Sequence, residues 1–184
     1  MRLRVPILKT DRLVLEPLGL AHSMGMFQLW SRPEVCQYSG DTVDIDGEPI
    51  PLPARSMADS DKIIDFFAHH QDAGTGFRWA VMSVPGLDFV GTLGFNSLGD
   101  QPELAFHLHP EYWGSGLMTE ACQAAMTWVL SEHGAQSVAA YVDPNNERSI
   151  RLLERLGFQP SMDARDGADH YVYRHPDAQT TPPI

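Results

Sequence analysis

The sequence predicts a single α/β domain built on one mostly antiparallel sheet. Three segments of alternating or apolar character, 78–84, 88–96 and 102–109, follow one another with no helical pattern between them, which predicts antiparallel neighbours. Two strand–helix pairs come later, over 103–133 and 136–157. With 184 residues and a hydrophobic content of 43%, the chain suits one domain with a substantial core.

The N-terminal part is predicted to form a strand and then a helix. Residues 11–16 place Leu13 and Leu15 at alternate positions, which is the period of a strand. A helix is predicted over 19–31, and Pro33 prevents its continuation. Its apolar residues recur at helical spacing: Leu20, Met24, Phe27 and Trp30.

Residues 37–58 are predicted to form a long irregular connection, with three prolines, two glycines and four acidic residues. Such loops are often functional in compact domains, and a surface insertion is the alternative left open. A helix follows as far as Ala73, with Asp59 or Ser60 as its cap and Gly74 as its stop. Its apolar side consists of Ile63, Ile64, Phe66 and Phe67.

Turn residues separate the three central strands, with Pro85-Gly86 in the first gap and Gly99-Asp100 in the second. The next helix is predicted from about Ser115 to His133, and 136–142 form a further strand. The buried row of this helix is Leu117, Ala121, Ala124, Ala125, Trp128 and Val129.

The last helix is predicted to begin at Asn145 or Asn146, since asparagine is a good N-cap. Gly157 supplies a left-handed C-cap, against which Phe158 folds back. The buried row consists of Ile150, Leu153 and Leu156.

Two short strands, 159–163 and 169–174, complete the predicted fold. No periodic pattern follows them. We therefore expect the domain to cover 1–175 and a frayed tail to cover 176–184.

Composition argues against several classes of protein. A net charge of −11 repels nucleic acid, and no run of about 18 apolar residues is present to span a membrane. The first residues lack the apolar stretch of a signal peptide. Cys36 and Cys122 have no framework spacing, so a reduced, cytoplasmic protein is expected, as a monomer or homodimer without nucleic-acid or membrane partners.

The most informative stretch is 111–120, Glu-Tyr-Trp-Gly-Ser-Gly-Leu-Met-Thr-Glu, which joins a strand to a helix. Gly114 and Gly116 permit a tight turn and close approach of a ligand. The free N–H groups of the following helix turn would then face an anion such as pyrophosphate. The stretch is not a P-loop, since no Gly-Lys-Ser/Thr follows, and Thr119 stands where a dinucleotide fingerprint needs glycine.

A second segment narrows the interpretation. Residues 143–158 read Asp-Pro-Asn-Asn-Glu-Arg-Ser-Ile-Arg-Leu-Leu-Glu-Arg-Leu-Gly-Phe, and 10–18 read Thr-Asp-Arg-Leu-Val-Leu-Glu-Pro-Leu. Together with the glycine turn, this order resembles the GNAT acyltransferases, most closely their Rim-type branch, which acetylates protein N-termini and small amines. The resemblance implies a twisted sheet splayed at the cofactor site, with helices on both faces. It also implies an N-acetyltransferase that uses acetyl-CoA as co-substrate.

The resemblance further implies which residues hold the cofactor. The turn N–H groups would carry the pyrophosphate, the strand end would pair with the pantetheine arm, and Asn146 would hold the pantetheine region. The expected set is His107, Leu108, His109, Trp113, Gly114, Ser115, Gly116, Leu117, Met118, Thr119, Asn146 and Ser149. The family opens the turn with Gln or Arg, whereas this chain has Glu111, which is expected to point away from the phosphates.

Catalysis by the family is aminolysis of a thioester, which needs a base for the amine and an oxyanion donor. Glu103 matches the family's base position, with His107 and His109 as alternatives, and a backbone N–H near Leu108 is the expected oxyanion donor. Many members carry a tyrosine acid four residues past Ser149, where this chain has Leu153. Ser149 is the expected substitute.

Other interpretations stay open at this stage. The chain could be an acetyl-CoA-binding sensor or interaction protein without turnover, or an unrelated nucleotide-binding domain, although the consecutive strands oppose the second. His107 and His109 could suggest a metal, but no third ligand has useful spacing, so no metal is expected. The acceptor, a protein N-terminus or a small amine, cannot be chosen from the sequence.

Overall fold

The computed structural model describes residues 3–165 and 167–176. In that part of the chain one sheet contains eight strands in the order β1-β2-β3-β4-β5-β6-β8-β7. The strands are β1 (Leu8–Lys9), β2 (Leu13–Pro17), β3 (Phe77–Ser83), β4 (Phe89–Ser97), β5 (Glu103–Leu108), β6 (Ser137–Val142), β7 (Gln159–Arg165) and β8 (Ala168–Arg174). The helices are α1 (Ser23–Trp30), α2 (Pro33–Cys36), α3 (Met57–Ala73), α4 (Leu117–Ser131) and α5 (Glu147–Arg155).

The strands pair antiparallel except at the centre, where β5 and β6 are parallel. β5 and β6 share one registered pair, Glu103 with Ala139, whereas β4 and β5 are paired along their length. The two central strands therefore separate beyond Glu103. The predicted splayed, mostly antiparallel sheet is confirmed.

Helices cover both faces of the sheet, and alternate residues of β3 point into the two cores beneath them. Phe77, Trp79 and Val81 join the core under α4 and α5. Ala80 joins a second core under α1, α2 and α3. This arrangement leaves the separation between β5 and β6 as the main discontinuity of the sheet.

Some predicted boundaries were wrong by a few residues. The cap of α3 is Ser56, whose hydroxyl accepts from the Asp59 N–H at 3.3 Å, rather than Asp59 or Ser60. Pro33 does not merely stop a helix, since it occupies the first turn of α2, where a missing N–H costs nothing. α4 begins at Leu117, with Gly116 as its cap. The strand β1 adds to the edge of the sheet beside β2. It has only two residues, too few for an alternating pattern to reveal it.

The C-terminal cap of α5 is as predicted. Gly157 has φ 90° and Phe158 is fully buried behind α5. Apart from Pro176, the expected tail over 176–184 lies outside the described residues. No described helix is long and apolar enough to cross a membrane.

Candidate active site

A cleft with a volume of about 1660 Å³ lies where β5 and β6 separate. Its walls are β5, the turn before α4, the start of α5 and residues 37–43. The glycine turn forms one part of the wall and Glu103 another. The predicted cofactor cradle and the predicted base therefore belong to one continuous cavity.

The turn before α4 has the backbone that its glycines predict. Gly114 and Gly116 have φ of 75° and 78°, in the left-handed region that disfavours other residues. A Cβ on Gly114 would meet no atom within 4 Å, so the turn is open on that side. Within the described residues, the N–H groups of Gly114 and Gly116 have no hydrogen-bond acceptor. Free N–H groups at a helix start are suited to binding an anion.

Positive charge reaches this turn from α5 rather than from position 111. The side chain of Glu111 is 75% exposed, lies near His109 and is absent from the cleft wall. The guanidinium of Arg148 lies 3.8 Å from the centre of the Trp113 ring, beside the turn, and both residues line the cleft. Arg148 is thus placed to compensate for the acidic residue at the opening of the motif.

Two residues of the expected cofactor set are not on the cleft wall. His109 is buried, and its Nδ1 accepts from the Glu111 N–H at the start of a short 3-10 turn, Pro110–Tyr112. Leu117 packs into the core, and its N–H donates to the Ser115 hydroxyl at 3.4 Å. Neither residue lines the cleft, and a cofactor contact at these two positions stays a prediction. The others in the set all line the cleft: His107, Leu108, Trp113, Gly114, Ser115, Gly116, Met118, Thr119, Asn146 and Ser149.

Asn146 and Ser149 both line the cleft at the start of α5, but they differ in the hydrogen bonding of their side chains. The side-chain oxygen of Asn146 accepts from the Ser149 N–H at 3.2 Å, as an N-cap does. The hydroxyl of Ser149 makes no hydrogen bond to any described residue. Leu153, at the family's tyrosine position, is almost fully buried in the core. The serine hydroxyl is therefore a polar group at this helix start that is left free by the described residues.

Both carboxylate oxygens of Glu103 are held. Oε1 accepts from the Asn96 amide at 2.7 Å, and Oε2 accepts from Arg165 at 2.8 Å. The Arg165 guanidinium also lies 3.9 Å from the centre of the Tyr141 ring. These hydrogen bonds fix the Glu103 side chain in place, and its exposure of 15% leaves it accessible from the cleft.

Behind Asn96 lies a buried cation. Arg78 donates through Nη2 to the Asn96 side-chain oxygen, and its guanidinium lies 4.1 Å from the centre of the Phe67 ring. Burial lowers the pKa of Arg78 to about 9, against the opposing effect of the Glu103 charge. Asn96 therefore links a buried guanidinium to the carboxylate of Glu103.

His107 is unsuited to be the base. The residue is partly buried, with its Nδ1 enclosed, and burial followed by the Arg78 charge lowers the His107 pKa to about 3. The ring centroid lies 4.5 Å from that of Trp30. His107 Nδ1 and Trp30 Nε1 are both buried without a hydrogen-bond partner in the described structure, and both residues line the cleft. A neutral imidazole with this pKa takes up a proton poorly at neutral pH.

The acidic loop contributes to the cleft through its first part only. Residues 37–43 line it, so Asp41 is the loop carboxylate on the wall. Asp44 instead accepts from the Asp46 and Glu48 N–H groups and from Lys62, and the Glu48 N–H contributes most to a lowered Asp44 pKa. Only the first part of the loop therefore forms a wall of the cleft.

Sequence reasoning missed Asn96, Arg165 and Tyr141. Asn96 is the extra residue of a β-bulge, because Phe95 pairs with Leu104 and Ser97 pairs with Glu103. A bulge redirects a side chain in a way that simple alternation does not reveal. Arg165 comes from a hairpin that is distant in sequence. Among the described residues, no group of three potential ligands could hold a metal ion.

Known proteins share this architecture. A solved structure described as RimL, a ribosomal L7/L12 alpha-N-protein acetyltransferase in complex with coenzyme A, aligns over 92% of this chain and 98% of its own, with a TM-score of 0.73 and 16% identity. At that identity the likeness concerns the fold.

Sequence relatives agree with the fold. The protein named "Uncharacterized N-acetyltransferase YoaA" of Bacillus subtilis is 28% identical, over 84% of this chain and 83% of its own. A shorter match, 34% identical over 35% of this chain and 36% of its partner, is to the "Putative ribosomal N-acetyltransferase YdaF" of the same organism. The sequence model of the family described as "Acetyltransferase (GNAT) domain" matches residues 12–159, most of the chain. This match, together with a splayed sheet and a glycine turn in one cleft, makes the chain a member of the GNAT acetyltransferase family.

Proposed function

We propose that the protein transfers the acetyl group of acetyl-CoA to a primary amine by direct attack on the thioester. The observation that carries this proposal is one cleft that contains an open glycine turn, separated strands and the fixed carboxylate of Glu103. A Rim-type acceptor, a protein N-terminus or small amine, is the finer part of the proposal. Its support is the opening motif at 10–18 and the partial likeness to YdaF.

The cofactor would extend along the cleft from the turn to the strand end. Its pyrophosphate would accept hydrogen bonds from N–H groups at 114–119, apart from the N–H of Leu117, and Arg148 would add positive charge. Its pantetheine amides would pair with main-chain groups of β5 left unpaired where β6 diverges. The coenzyme A complex of the structurally similar RimL supports this choice of ligand.

Glu103 is the proposed base. The amine loses a proton to the carboxylate, directly or through water, and its lone pair attacks the acetyl carbonyl carbon. The resulting tetrahedral oxyanion would accept a hydrogen bond from a backbone N–H near Leu108, and collapse breaks the C–S bond. The guanidinium of Arg165 already lies against both Glu103 and the Tyr141 ring, so this position accommodates a cation. This supports binding of the acceptor amine beside Glu103.

Ser149 is the proposed donor to the leaving sulfur. Ser149 lines the cleft, and its hydroxyl has no hydrogen-bond partner among the described residues, so it is free to donate. A thiolate is a good leaving group, and one hydrogen bond is sufficient help for it. Leu153 offers no such group.

A panel of amines and peptides tests this function, with release of free CoA thiol as the measurement. We expect turnover with at least one primary amine and none with its acetylated form. The competing function is an acetyl-CoA sensor, which is favoured by the absence of the family tyrosine at position 153. Tight acetyl-CoA binding without turnover on any peptide or amine would support the sensor and contradict the enzyme.

A further inference from the structure

We propose that Arg12 is a positioning residue that holds the pyrophosphate-binding turn in its binding conformation from behind. The inference rests on the proposed function, because it assigns a residue to the cofactor site of that reaction. Arg12 belongs to the opening Thr-Asp-Arg-Leu motif, to which the catalytic scheme gives no role.

Arg12 joins two parts of the glycine-turn motif that lie over 100 residues away in sequence. Its Nη1 donates to the Ser115 carbonyl at 3.0 Å, and its Nε donates to Oε2 of Glu120 at 2.7 Å. The Arg12 backbone N–H donates to Oε1 of Glu120 at 2.9 Å, and the Thr10 hydroxyl donates to the same oxygen at 2.6 Å. The motif at the start of β2 therefore grips both the turn and the first turn of α4.

The geometry of one peptide bond connects this grip to the ligand. In a trans peptide the C=O of one residue and the N–H of the next point in opposite directions. Arg12 holds the Ser115 carbonyl on its own side of the turn and is absent from the cleft wall, whereas Ser115 and Gly116 line the cleft. The Gly116 N–H is thereby directed away from Arg12, and it has no acceptor among the described residues.

The two glycines would otherwise leave this peptide more conformational freedom. Gly114 and Gly116 flank Ser115, and glycine has the largest conformational freedom of all residues. Fixing the turn before the ligand arrives removes an entropic cost from binding. The guanidinium acts as the fixed support, since Glu120 in turn holds the guanidinium.

Charge balance favours a positioning role over direct attraction. Glu120 lies in the first turn of α4, where an unneutralised carboxylate would repel a phosphate. Burial favours the neutral acid, but hydrogen bonds from Thr10 and Arg12 outweigh it and lower the Glu120 pKa. The pair is therefore ionised and close to neutral overall. Removing Arg12 would both release the turn and expose the carboxylate charge.

The test compares Arg12→Gln and Arg12→Lys with Arg174→Gln, which removes an exposed arginine at the end of β8. CoA and pantetheine, which lacks the pyrophosphate, are titrated into each protein, and amide hydrogen exchange is followed without ligand. For Arg12→Gln we expect a rise of about tenfold or more in the Kd of CoA and little change for pantetheine. Exchange should accelerate at Ser115 and Leu117, whose N–H groups are hydrogen-bonded within the turn, and stay unchanged in β6. Lysine should recover only part of the loss. It keeps the positive charge, but its compact ammonium cannot reach the Ser115 carbonyl and the Glu120 carboxylate together as the planar guanidinium does.

Different outcomes would contradict the proposed function and the proposed role of Arg12. Wild-type protein that fails to bind CoA contradicts the proposed function. CoA binding that Arg12→Gln leaves unchanged overturns the inference alone. An equal loss for CoA and pantetheine, with faster exchange throughout the sheet, also overturns it, because Arg12 would then serve only general stability.

Discussion

Arg165, in the β7–β8 hairpin, donates a hydrogen bond of 2.8 Å to the Glu103 carboxylate while its guanidinium rests on the Tyr141 ring. A carboxylate beside an aromatic face is a favourable environment for a cation. In the proposed reaction the ammonium of the acceptor needs the same environment before it loses its proton. Arg165 therefore competes with the acceptor for Glu103.

Arg165→Ala is expected to lower KM for an amine acceptor by about two- to fivefold, the range of a partly exposed ion pair. The Arg165 side chain is 53% exposed, which keeps the effect small. Steady-state kinetics with the best amine of the panel measure it, and Arg165→Lys serves as the control that retains a cation. A raised KM together with a lower kcat would mean that Arg165 helps catalysis by orienting Glu103.

Glu103→Gln is expected to lower kcat/KM by roughly 10²–10⁴ at neutral pH, because the amide cannot take the proton of the amine. The loss should shrink at higher pH, where free amine is already present. CoA affinity should stay nearly constant, since Glu103 lies away from the turn. Full activity of the variant at neutral pH would leave solvent as the base, because His107 is too weak a base.

Ser149→Ala is expected to slow the chemical step while CoA still binds. The cap of α5 should survive, because Asn146 accepts from the backbone N–H of residue 149 and alanine retains that group. Single-turnover measurement of acetyl transfer isolates the chemistry from product release. An unchanged transfer rate would show that the thiolate leaves without help from this hydroxyl.

Gly116→Val is expected to abolish the thermal shift produced by acetyl-CoA. A β-branched residue is strained at φ 78°, so the turn must change its conformation. At a hundredfold over Kd, binding to the unaltered protein should add about 2.7 kcal/mol to the free energy of unfolding. Gly134→Val is the matched control, since Gly134 has φ 80° far from the cleft wall. That control should lose stability and keep the ligand shift, and loss of the shift in both variants would refute a local effect.

Acid should destabilise the fold partly through His107. Its pKa of about 3 in the folded protein lies below the ordinary value of 6.5, so the unfolded chain binds more protons between these values. The free energy of unfolding therefore rises with pH between about 3 and 6.5. The contribution of His107 to that free energy is lost as the pH falls toward 3. His107→Gln should flatten the slope between pH 4 and pH 6.5 measured by denaturant unfolding, whereas His69→Gln, at an exposed position, should not. Equal slopes in both variants would contradict the burial of a neutral imidazole.

Local pattern predicted much of the fold. The apolar segment 78–84 predicted β3, whose successive residues point to opposite sides of the sheet. The order of strand, Gly114-x-Gly116 and helix predicted the turn, since positive φ at those positions requires glycine. The stop of α3 at Gly74 and the cap of α5 at Asn146 were likewise readable from residue type alone.

Tertiary structure decided the environment of the candidate site. Asn96 reaches Glu103 because a β-bulge displaces it, Arg165 reaches the same carboxylate because β8 carries its hairpin against β6, and Arg12 reaches Ser115 across the domain. Residue spacing fixes which side of its own strand or helix a side chain occupies. It cannot fix which distant strand lies beside it, because register, bulges and sheet order are set by packing of the whole chain. The sequence by itself therefore determined the family, most of the elements and the glycine turn, whereas the fold decided which charges surround Glu103 and what holds that turn.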